Sequence, residues 1–308
     1  MNIYSKLYNN TDLRNIFLSE VSIGVSANAF LLLFHILTFF FQHRPKPTDL
    51  PIGFLALTHL VMLLFGGFMA TDMFGSWGVW DDITCKAVIY SHRVLRGLSL
   101  CITSLLSVLQ AITLSPRSSW LAKFKQTPSC LSLGSLVLLW VFYMAVSSHL
   151  TYTIMATPNG TSDSLLYVTE SCSFSGQSFS QLLVALVPIR DCPLIGLMVL
   201  SSSYMVTLLC RHKKQSQHLH STSLSPQASP ELRATRTILL LMGVFTVLST
   251  LDYFISTFRF MSNHDPTMYC IQTFVVNGYA IISPFVFLSA EKRIVPFWKF
   301  MSGKTANE

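Results

Sequence analysis

Charged residues are scarce in this chain of 308 residues, where Asp, Glu, Lys and Arg together make up only 11%. An ordinary soluble domain carries about 25% charge, because its water-facing surface is built largely from these residues. Hydrophobic residues make up 51% of the chain, and its mean hydropathy is +0.50. The shortage of charge excludes a soluble globular protein and predicts that lipid covers much of the surface.

The sequence also lacks the short motifs that mark common enzymes. It contains no Gly-x-Ser-x-Gly, no His-Glu-x-x-His, no phosphate-binding glycine loop and no dinucleotide-binding fingerprint. It shows neither the repeated halves typical of many transporters nor a channel-like filter sequence, so a transporter or channel is the weaker alternative. We expect no enzyme activity, no catalytic or metal-binding residue, no cofactor and no nucleic-acid partner.

Seven apolar stretches are each long enough to cross the roughly 30 Å hydrocarbon core of a membrane as a tilted helix. No segment of soluble-domain size separates them, so residues 1–308 are predicted to form a single domain. The stretches are approximately 16–41, 49–74, 84–114, 129–152, 191–210, 235–259 and 268–289. They predict an all-α membrane protein, a seven-transmembrane helix bundle that is followed by a short tail at 290–308.

Basic residues are distributed unequally between the two sides of this bundle. Alternate connections on one side hold only Lys6, Arg14 and Arg190, whereas fourteen of the 21 Lys and Arg residues lie on the other side. Since basic residues concentrate in cytoplasmic loops, the amino terminus is predicted to be extracellular and the tail cytoplasmic. Both glycosylation sequons, at Asn9 and Asn159, then fall on the extracellular side.

Four of the seven cysteines lie near the predicted outer face. Cys85 opens the third span and Cys172 lies in the loop between the fourth and fifth spans. We expect a disulfide between these two, which would hold the loop across the mouth of the bundle. The alternatives are a bond between Cys192 and Cys270, or one that joins either of them to Cys172. Burial of Cys192 and Cys270 as small apolar side chains is the favoured role for both.

The third span carries basic residues at membrane depth. Arg96 lies eleven residues after Cys85, which places it roughly 16 Å deeper, close to the bilayer centre. A central arginine costs about 2.5 to 3.5 kcal/mol to insert, so Arg93 and Arg96 are expected to face the bundle interior. Candidate counter-charges there are Asp252, Asp72 and Glu20.

Two interpretations of these charges remain open. Arg93 or Arg96 binds a polar ligand group in an outward-facing cavity, or the arginines and acids form an internal ion-pair network that fixes helix packing. The second interpretation is favoured. Tyr253, Phe254 and Asn277 could line the same cavity, although plain core packing is the more common role for aromatic side chains.

Seven spans, an outer amino terminus and a cysteine pair between the third helix and a loop are the outline of a G-protein-coupled receptor. More specific strings narrow this outline: HRPKPTDL at 43–50, HRVLRGLS at 92–99, LSVLQAITLSP at 106–116, YMV at 204–206, RATRTILLL at 233–241 and SPFV at 283–286. These strings resemble the type-1 vomeronasal receptors. Together they cover the chain from the first span to the seventh.

This resemblance implies a pheromone or other semiochemical receptor in the plasma membrane of vomeronasal sensory neurons. It implies a small-molecule ligand, and an inhibitory-type G protein that docks on the cytoplasmic face. The basic residues of that face are Arg117, Lys123, Arg233 and Arg236. Bitter-taste receptors share the same outline but not this set of strings, and they are the runner-up family. The resemblance also suggests that Arg93 and Arg96 are shared architecture rather than ligand determinants.

Overall fold

A computed structural model supplies the structure of the chain. The residues that it describes are 11–41, 48–73, 80–116, 119, 123–124, 129–148, 150–156, 166–167, 171–174, 191–211, 230–261 and 266–291.

Seven of the described helices are long and apolar enough to cross a membrane. They are α1 (Thr11–Phe41), α2 (Asp49–Met73), α3 (Asp82–Leu114), α4 (Ser129–Ser147), α5 (Asp191–Arg211), α6 (Pro230–Met261) and α7 (Pro266–Ala290). The predicted seven-transmembrane class is therefore confirmed. A proline is well suited to the first position of α6, since the first helical N–H has no intrahelical acceptor.

Helix α3 lies at the centre of the bundle. In the most apolar segment of α3, 67% of the residues are buried, whereas in the corresponding segment of α5 only 22% are buried. Its apolar side chains Ile102 and Leu106 belong to a core that also contains Leu55 of α2, Met205 of α5 and Leu241 of α6. Because α3 contacts helices on several sides, its polar residues can reach partners on most of the bundle.

Helices α1, α2 and α7 pack closely through small residues. A Cβ atom at Gly24 of α1 would lie 2.8 Å from side-chain atoms of both Leu63 on α2 and Ile281 on α7. One turn later, the Asn28 amide donates to the carbonyl oxygen of Ala280 on α7 at 2.8 Å. Close packing and an interhelical hydrogen bond are the usual means by which helices associate in lipid.

A small antiparallel sheet lies at one end of the bundle, which we call the sheet end; the other end is the far end. Its strands β1 (Ile154–Ala156), β2 (Leu166–Tyr167) and β3 (Cys172–Phe174) are ordered β1-β3-β2. The sequence did not predict these strands, because each has only two or three residues and no alternating pattern can develop over that length.

Polar contacts fasten this sheet to α2 and α3. The Asp72 carboxylate on α2 accepts hydrogen bonds from the backbone N–H of Ser171 at 3.1 Å and from its hydroxyl at 2.5 Å. Asp82 on α3 accepts from the N–H of Ala156 at 3.1 Å. Asp81 caps α3 by accepting from the Thr84 N–H at 3.0 Å, and hydrogen bonding to Thr84 lowers the pKa of Asp81.

A disulfide joins Cys85 in the first turn of α3 to Cys172 on the central strand β3. Both cysteines are fully buried, and their Cα atoms are 5.8 Å apart. Neither Cys192 nor Cys270 takes part in this bond, so the alternatives that assign Cys172 to another partner are wrong. Cys270 is buried as expected, whereas Cys192 is exposed, so the expected burial of Cys192 is wrong. The bond holds the sheet over the end of the bundle.

Candidate functional site

The central feature of the bundle is an ion pair between Arg96 of α3 and Asp252 of α6. The Arg96 guanidinium donates a hydrogen bond to one carboxylate oxygen of Asp252. The Asp252 side chain is 4% exposed, whereas the Arg96 side chain is 23% exposed. Both charges are thus neutralised at a depth where an isolated charge is costly, and one edge of the guanidinium stays accessible.

The second oxygen of Asp252 is satisfied by α7. Gln272 donates from Nε2 to this oxygen at 2.9 Å, and the same nitrogen is 2.6 Å from the Ser256 hydroxyl on α6. A buried carboxylate is stabilised when each of its oxygens accepts a hydrogen bond. Asp252 therefore holds α3, α6 and α7 together at one point.

A cavity lies directly beneath this ion pair. The space open to the centre of a water-sized sphere is about 20 Å³, which holds about one water molecule. Drug-sized ligands occupy pockets of about 300 to 1,000 Å³, so a ligand of that size requires this cavity to widen. Its wall combines polar and apolar side chains: Met62, Arg96, Ser99, Phe245, Leu248, Ser249, Asp252, Val275, Val276 and Tyr279.

The aromatic residues that follow Asp252 point in different directions. Tyr253 is half-buried, and its hydroxyl donates to Asp191, the first residue of α5, at 2.9 Å. Phe254 is 69% exposed on the outside of the bundle, so the expectation that it lines the cavity is wrong. The side chains of consecutive helical residues are about 100° apart, which separates the roles of these neighbours.

Asp191 is a site residue that the sequence analysis missed. It is buried, and it also accepts a hydrogen bond from the Tyr143 hydroxyl of α4 at 2.8 Å. The signal was present in the sequence, since Asp191 interrupts an apolar run that begins at Leu182. In the sequence Asp191 indicates only the start of the fifth span, because an isolated acid does not reveal its partners.

The other predicted counter-charges do not meet the arginines. Asp72 binds Ser171 of the sheet instead. Glu20 is half-buried on α1, and its Oε2 has no hydrogen-bond partner among the described residues. Lys86 forms an ion pair with Asp82 one turn earlier at 2.5 Å, and it does not extend into the bundle. Of the three candidate acids, Asp252 is the one that pairs with Arg96.

Asn277 and Arg93 are predicted site residues that do not line this cavity. Asn277 on α7 is fully buried beside Gly66 of α2, where a Cβ atom would be 3.1 Å from the Asn277 amide nitrogen. Arg93 is half-buried one turn before Gly97, and its charge acts on Asp252.

A column of uncharged hydrogen bonds continues from the cavity towards the far end. The buried His59 ring on α2 lies between two hydroxyls, with Nε2 2.7 Å from Ser99 on α3 and Nδ1 2.9 Å from Ser283 on α7. The Tyr279 hydroxyl on α7 is 2.9 Å from that of Thr103 on α3. This column connects α3 and α7 below the ion pair.

At the far end, α3 is hydrogen-bonded to α5 and α6. The Gln110 amide donates to the Thr235 hydroxyl of α6 at 3.0 Å, and both residues are buried. The Ser107 hydroxyl meets that of Ser201 on α5. The hydroxyls of Ser115 and Tyr204 are 3.0 Å apart. Uncharged groups thus form the contacts between the helix ends here.

Comparison with known proteins identifies the family of the chain. The model of the vomeronasal organ pheromone receptor family matches residues 11–300. The chain belongs to this family. Vomeronasal type-1 receptor 94 of Rattus norvegicus is 54% identical over 310 residues, which cover 100% of this chain and 95% of the relative. Vomeronasal type-1 receptor 51 of Mus musculus is 54% identical over 297 residues, with 96% and 93% covered.

Membership in the vomeronasal receptor family settles several expectations from the sequence. The chain is a multi-pass membrane protein of a chemosensory receptor family, and it is not an enzyme. The resemblance carried by the short strings was therefore correct, and the bitter-taste family is set aside.

Not all predicted site residues of this vomeronasal receptor fall within the described structure. Asn9, Asn159 and Arg117 lie outside the described residues, and for Arg233 only the helical backbone is described. Lys123 and Arg236 are described and exposed. Arg236 lies next to Thr235, so it is adjacent in sequence to the far-end contact with Gln110.

Proposed function

We propose that this member of the vomeronasal family is a pheromone receptor whose small ligand binds in the cavity beside Arg96 and Asp252 and thereby activates an inhibitory-type G protein. The observation that carries this proposal is the partly exposed ion pair on the wall of an internal cavity. Convergent polar groups within an otherwise apolar wall are typical of sites for small molecules.

The small size of the cavity supports a link between binding and conformational change. With space for about one water molecule, it accepts a larger ligand only after α6 or α7 moves away from α3. A ligand that binds the widened state better shifts the equilibrium towards that state. Ligand binding and helix movement are then the same event.

Helix α6 connects this cavity to the proposed G-protein surface. Phe245, Leu248 and Asp252 line the cavity, while Thr235 of the same helix contacts Gln110 at the far end. A displacement of α6 at the cavity is thereby transmitted to the far end. There the basic residues Arg117, Lys123, Arg233 and Arg236 form the proposed docking face for the G protein.

The proposed orientation places the sheet end outside the cell. The excess of basic residues in the far-end connections supports a cytoplasmic far end and an extracellular amino terminus. The disulfide agrees with this orientation, because disulfides persist in oxidising compartments. Asn9 and Asn159 are then available for glycosylation, and the plasma membrane of vomeronasal sensory neurons is the proposed location.

A signalling assay in transfected cells tests this function. Cells that express the receptor with an inhibitory-class G protein are exposed to fractionated urine and to steroids, and cyclic AMP is measured. We expect at least one fraction to lower cyclic AMP, and the response to be lost when the G protein is omitted. Asp252→Asn should abolish the response, whereas the matched control Phe254→Leu, on the lipid-facing side of α6, should retain it.

Other outcomes of this assay contradict the proposal in distinct ways. A ligand-driven ion current that persists without any G protein indicates a channel, and accumulation of a solute indicates a transporter. Equal responses from the Asp252→Asn receptor and the unmodified receptor, at equal surface expression, would exclude the cavity as the binding site.

A further inference from the structure

Asp191 lies where three helices meet at the edge of the candidate site. Its two carboxylate oxygens accept from different tyrosines: Tyr143 of α4 at 2.8 Å, and Tyr253 of α6 at 2.9 Å. Asp191 as a residue is 6% exposed, so these hydrogen bonds replace water contacts that its carboxylate would make in solution. One side chain of α5 therefore holds both neighbouring helices.

The position of Tyr143 is itself fixed by α3. Tyr143 is fully buried, and its ring lies against the backbone of Gly97. A Cβ atom at Gly97 would overlap the Tyr143 ring, so only glycine allows the ring to lie this close to α3. Gly97 follows Arg96 directly, so the tyrosine docks beside the arginine of the ion pair.

The position of Tyr253 depends on the α6 member of the same ion pair. Tyr253 follows Asp252, which binds Arg96. The contacts therefore form a closed ring of four helices. Helix α3 contacts α4 where Gly97 meets Tyr143, and Asp191 of α5 binds both α4 and α6. Helix α6 returns to α3 through Asp252 and Arg96. A closed ring of this kind constrains each member more than a single contact does, because no helix can shift without disturbing two neighbours.

We propose that Asp191 is a positioning residue that couples the Arg96–Asp252 ion pair to the sheet end of α5 through the hydroxyls of Tyr253 and Tyr143. A change at Asp252 then moves Tyr253, and the shared carboxylate transmits this movement to α5. The functional meaning of this coupling rests on the proposed ligand cavity, since a ligand that competes for Arg96 would start the same movement.

Cys192 provides a reporter for α5 that needs neither a ligand nor a G protein. It directly follows Asp191, and its side chain is exposed. The full-length receptor in lipid nanodiscs is treated with a bulky maleimide for increasing times. Mass spectrometry of peptides then measures the labelled fraction of Cys192 separately from the other cysteines.

The decisive comparison is the effect of Asp252→Asn on this rate in different backgrounds. In the unmodified receptor we expect Asp252→Asn to increase the labelling rate of Cys192 by about fivefold, the factor for the loss of one typical hydrogen bond. In a receptor that carries Tyr253→Phe, the same change should alter the rate by less than about twofold, because the connection to Asp191 is already broken. In a receptor that carries Asp191→Asn, the Asp252→Asn change should likewise alter the labelling rate of Cys192 by less than about twofold.

Matched variants keep the test decisive. Tyr152→Phe removes a tyrosine hydroxyl near the sheet whose side chain is 86% exposed, so the fivefold effect should persist in that background. Tyr253→Phe preserves the ring, and it decides the question even when Asp191→Asn does not fold. An equal effect of Asp252→Asn in all backgrounds, or no effect in any, overturns the coupling. A failed signalling assay with intact coupling would instead overturn the proposed function alone.

Discussion

The two halves of α3 are held by different kinds of interaction. Towards the sheet end, α3 carries the disulfide at Cys85 and the ion pair at Arg96. Towards the far end, its polar contacts with α5 and α6 are uncharged hydrogen bonds, such as that between Gln110 and Thr235, and they lie beside the apolar core that contains Ile102 and Leu106. A covalent bond and a buried ion pair are each costly to break, whereas a typical neutral hydrogen bond contributes about 1 kcal/mol.

This difference indicates which end of the bundle can move. Modest ligand binding energy suffices to break several neutral hydrogen bonds but not the disulfide. The sheet that the disulfide joins to α3 is therefore suited to staying in place, and the far end is suited to opening. The following four changes test this comparison, beginning with the largest expected effect.

Loss of the Asp252 carboxylate is expected to have the largest effect. Asp252→Ala leaves the Arg96 guanidinium uncompensated in the bundle interior, and breaking a buried pair in this way costs about 3 to 5 kcal/mol. We expect low surface expression and a markedly lower unfolding temperature in detergent. Arg96→Met combined with Asp252→Leu should recover much of the stability, because it removes both charges. A double variant as unstable as Asp252→Ala would show that charge burial is not the cause.

Loss of the disulfide is expected to have the second-largest effect on stability. Cys172→Ser should destabilise the receptor by about 2 to 5 kcal/mol, because the chain between Cys85 and Cys172 is no longer closed into a loop. Thermal unfolding with and without reductant measures this effect. Cys192→Ser, at an exposed cysteine, is the control and should be nearly neutral. Equal unfolding temperatures of the Cys172→Ser and unmodified receptors would contradict the covalent difference between the two halves.

A methyl group at Gly97 should produce an intermediate effect. Gly97→Ala forces the new Cβ atom into the ring of Tyr143, and overpacking of this kind costs about 1 to 3 kcal/mol. Gly134→Ala is the matched control, since its Cβ atom would have no heavy atom within 4 Å. The unfolding temperature of the Gly97→Ala receptor should be clearly lower than that of the Gly134→Ala receptor. The reverse order would exclude the close contact between Tyr143 and α3.

The smallest change in free energy is expected at the far end. Gln110→Ala removes the hydrogen bond to Thr235, worth about 1 kcal/mol, which is about a fivefold shift in a two-state equilibrium. Basal signalling without ligand should rise by this factor, as measured by cyclic AMP at equal surface expression. Thr113→Ala is the control, because Thr113 is exposed and donates only to the Leu109 carbonyl of its own helix. Unchanged basal signalling in Gln110→Ala would show that this contact does not restrain the far end.

Much of this architecture follows from local properties of the sequence. Long apolar stretches predict membrane helices wherever they occur, and arginine within such a stretch predicts a buried counter-charge. Asp252 was therefore among the three acids predicted as counter-charges for the arginines of α3. The choice between them depended on helix rotation and on the sheet, since Ser171 binds Asp72 and leaves Asp252 to Arg96.

Other features could not be inferred because they depend on residues far apart in the chain. Gln110 and Thr235 are ordinary polar residues near helix ends, and neither reveals the other in its local sequence. The same holds for Asp191, whose two tyrosine partners lie on different helices. The three short strands also depend on long-range pairing and on the disulfide rather than on a local pattern.

The scarcity of charge by itself determined that the chain lies in a membrane, and the apolar stretches determined how many times it crosses. These properties follow from transfer of each segment into lipid, which depends on its own residues. Only the tertiary structure decided which acid neutralises Arg96, which hydroxyls meet at Asp191 and how small the cavity beneath them is. These depend on the rotation and approach of neighbouring helices, which are set by packing between segments far apart in the sequence.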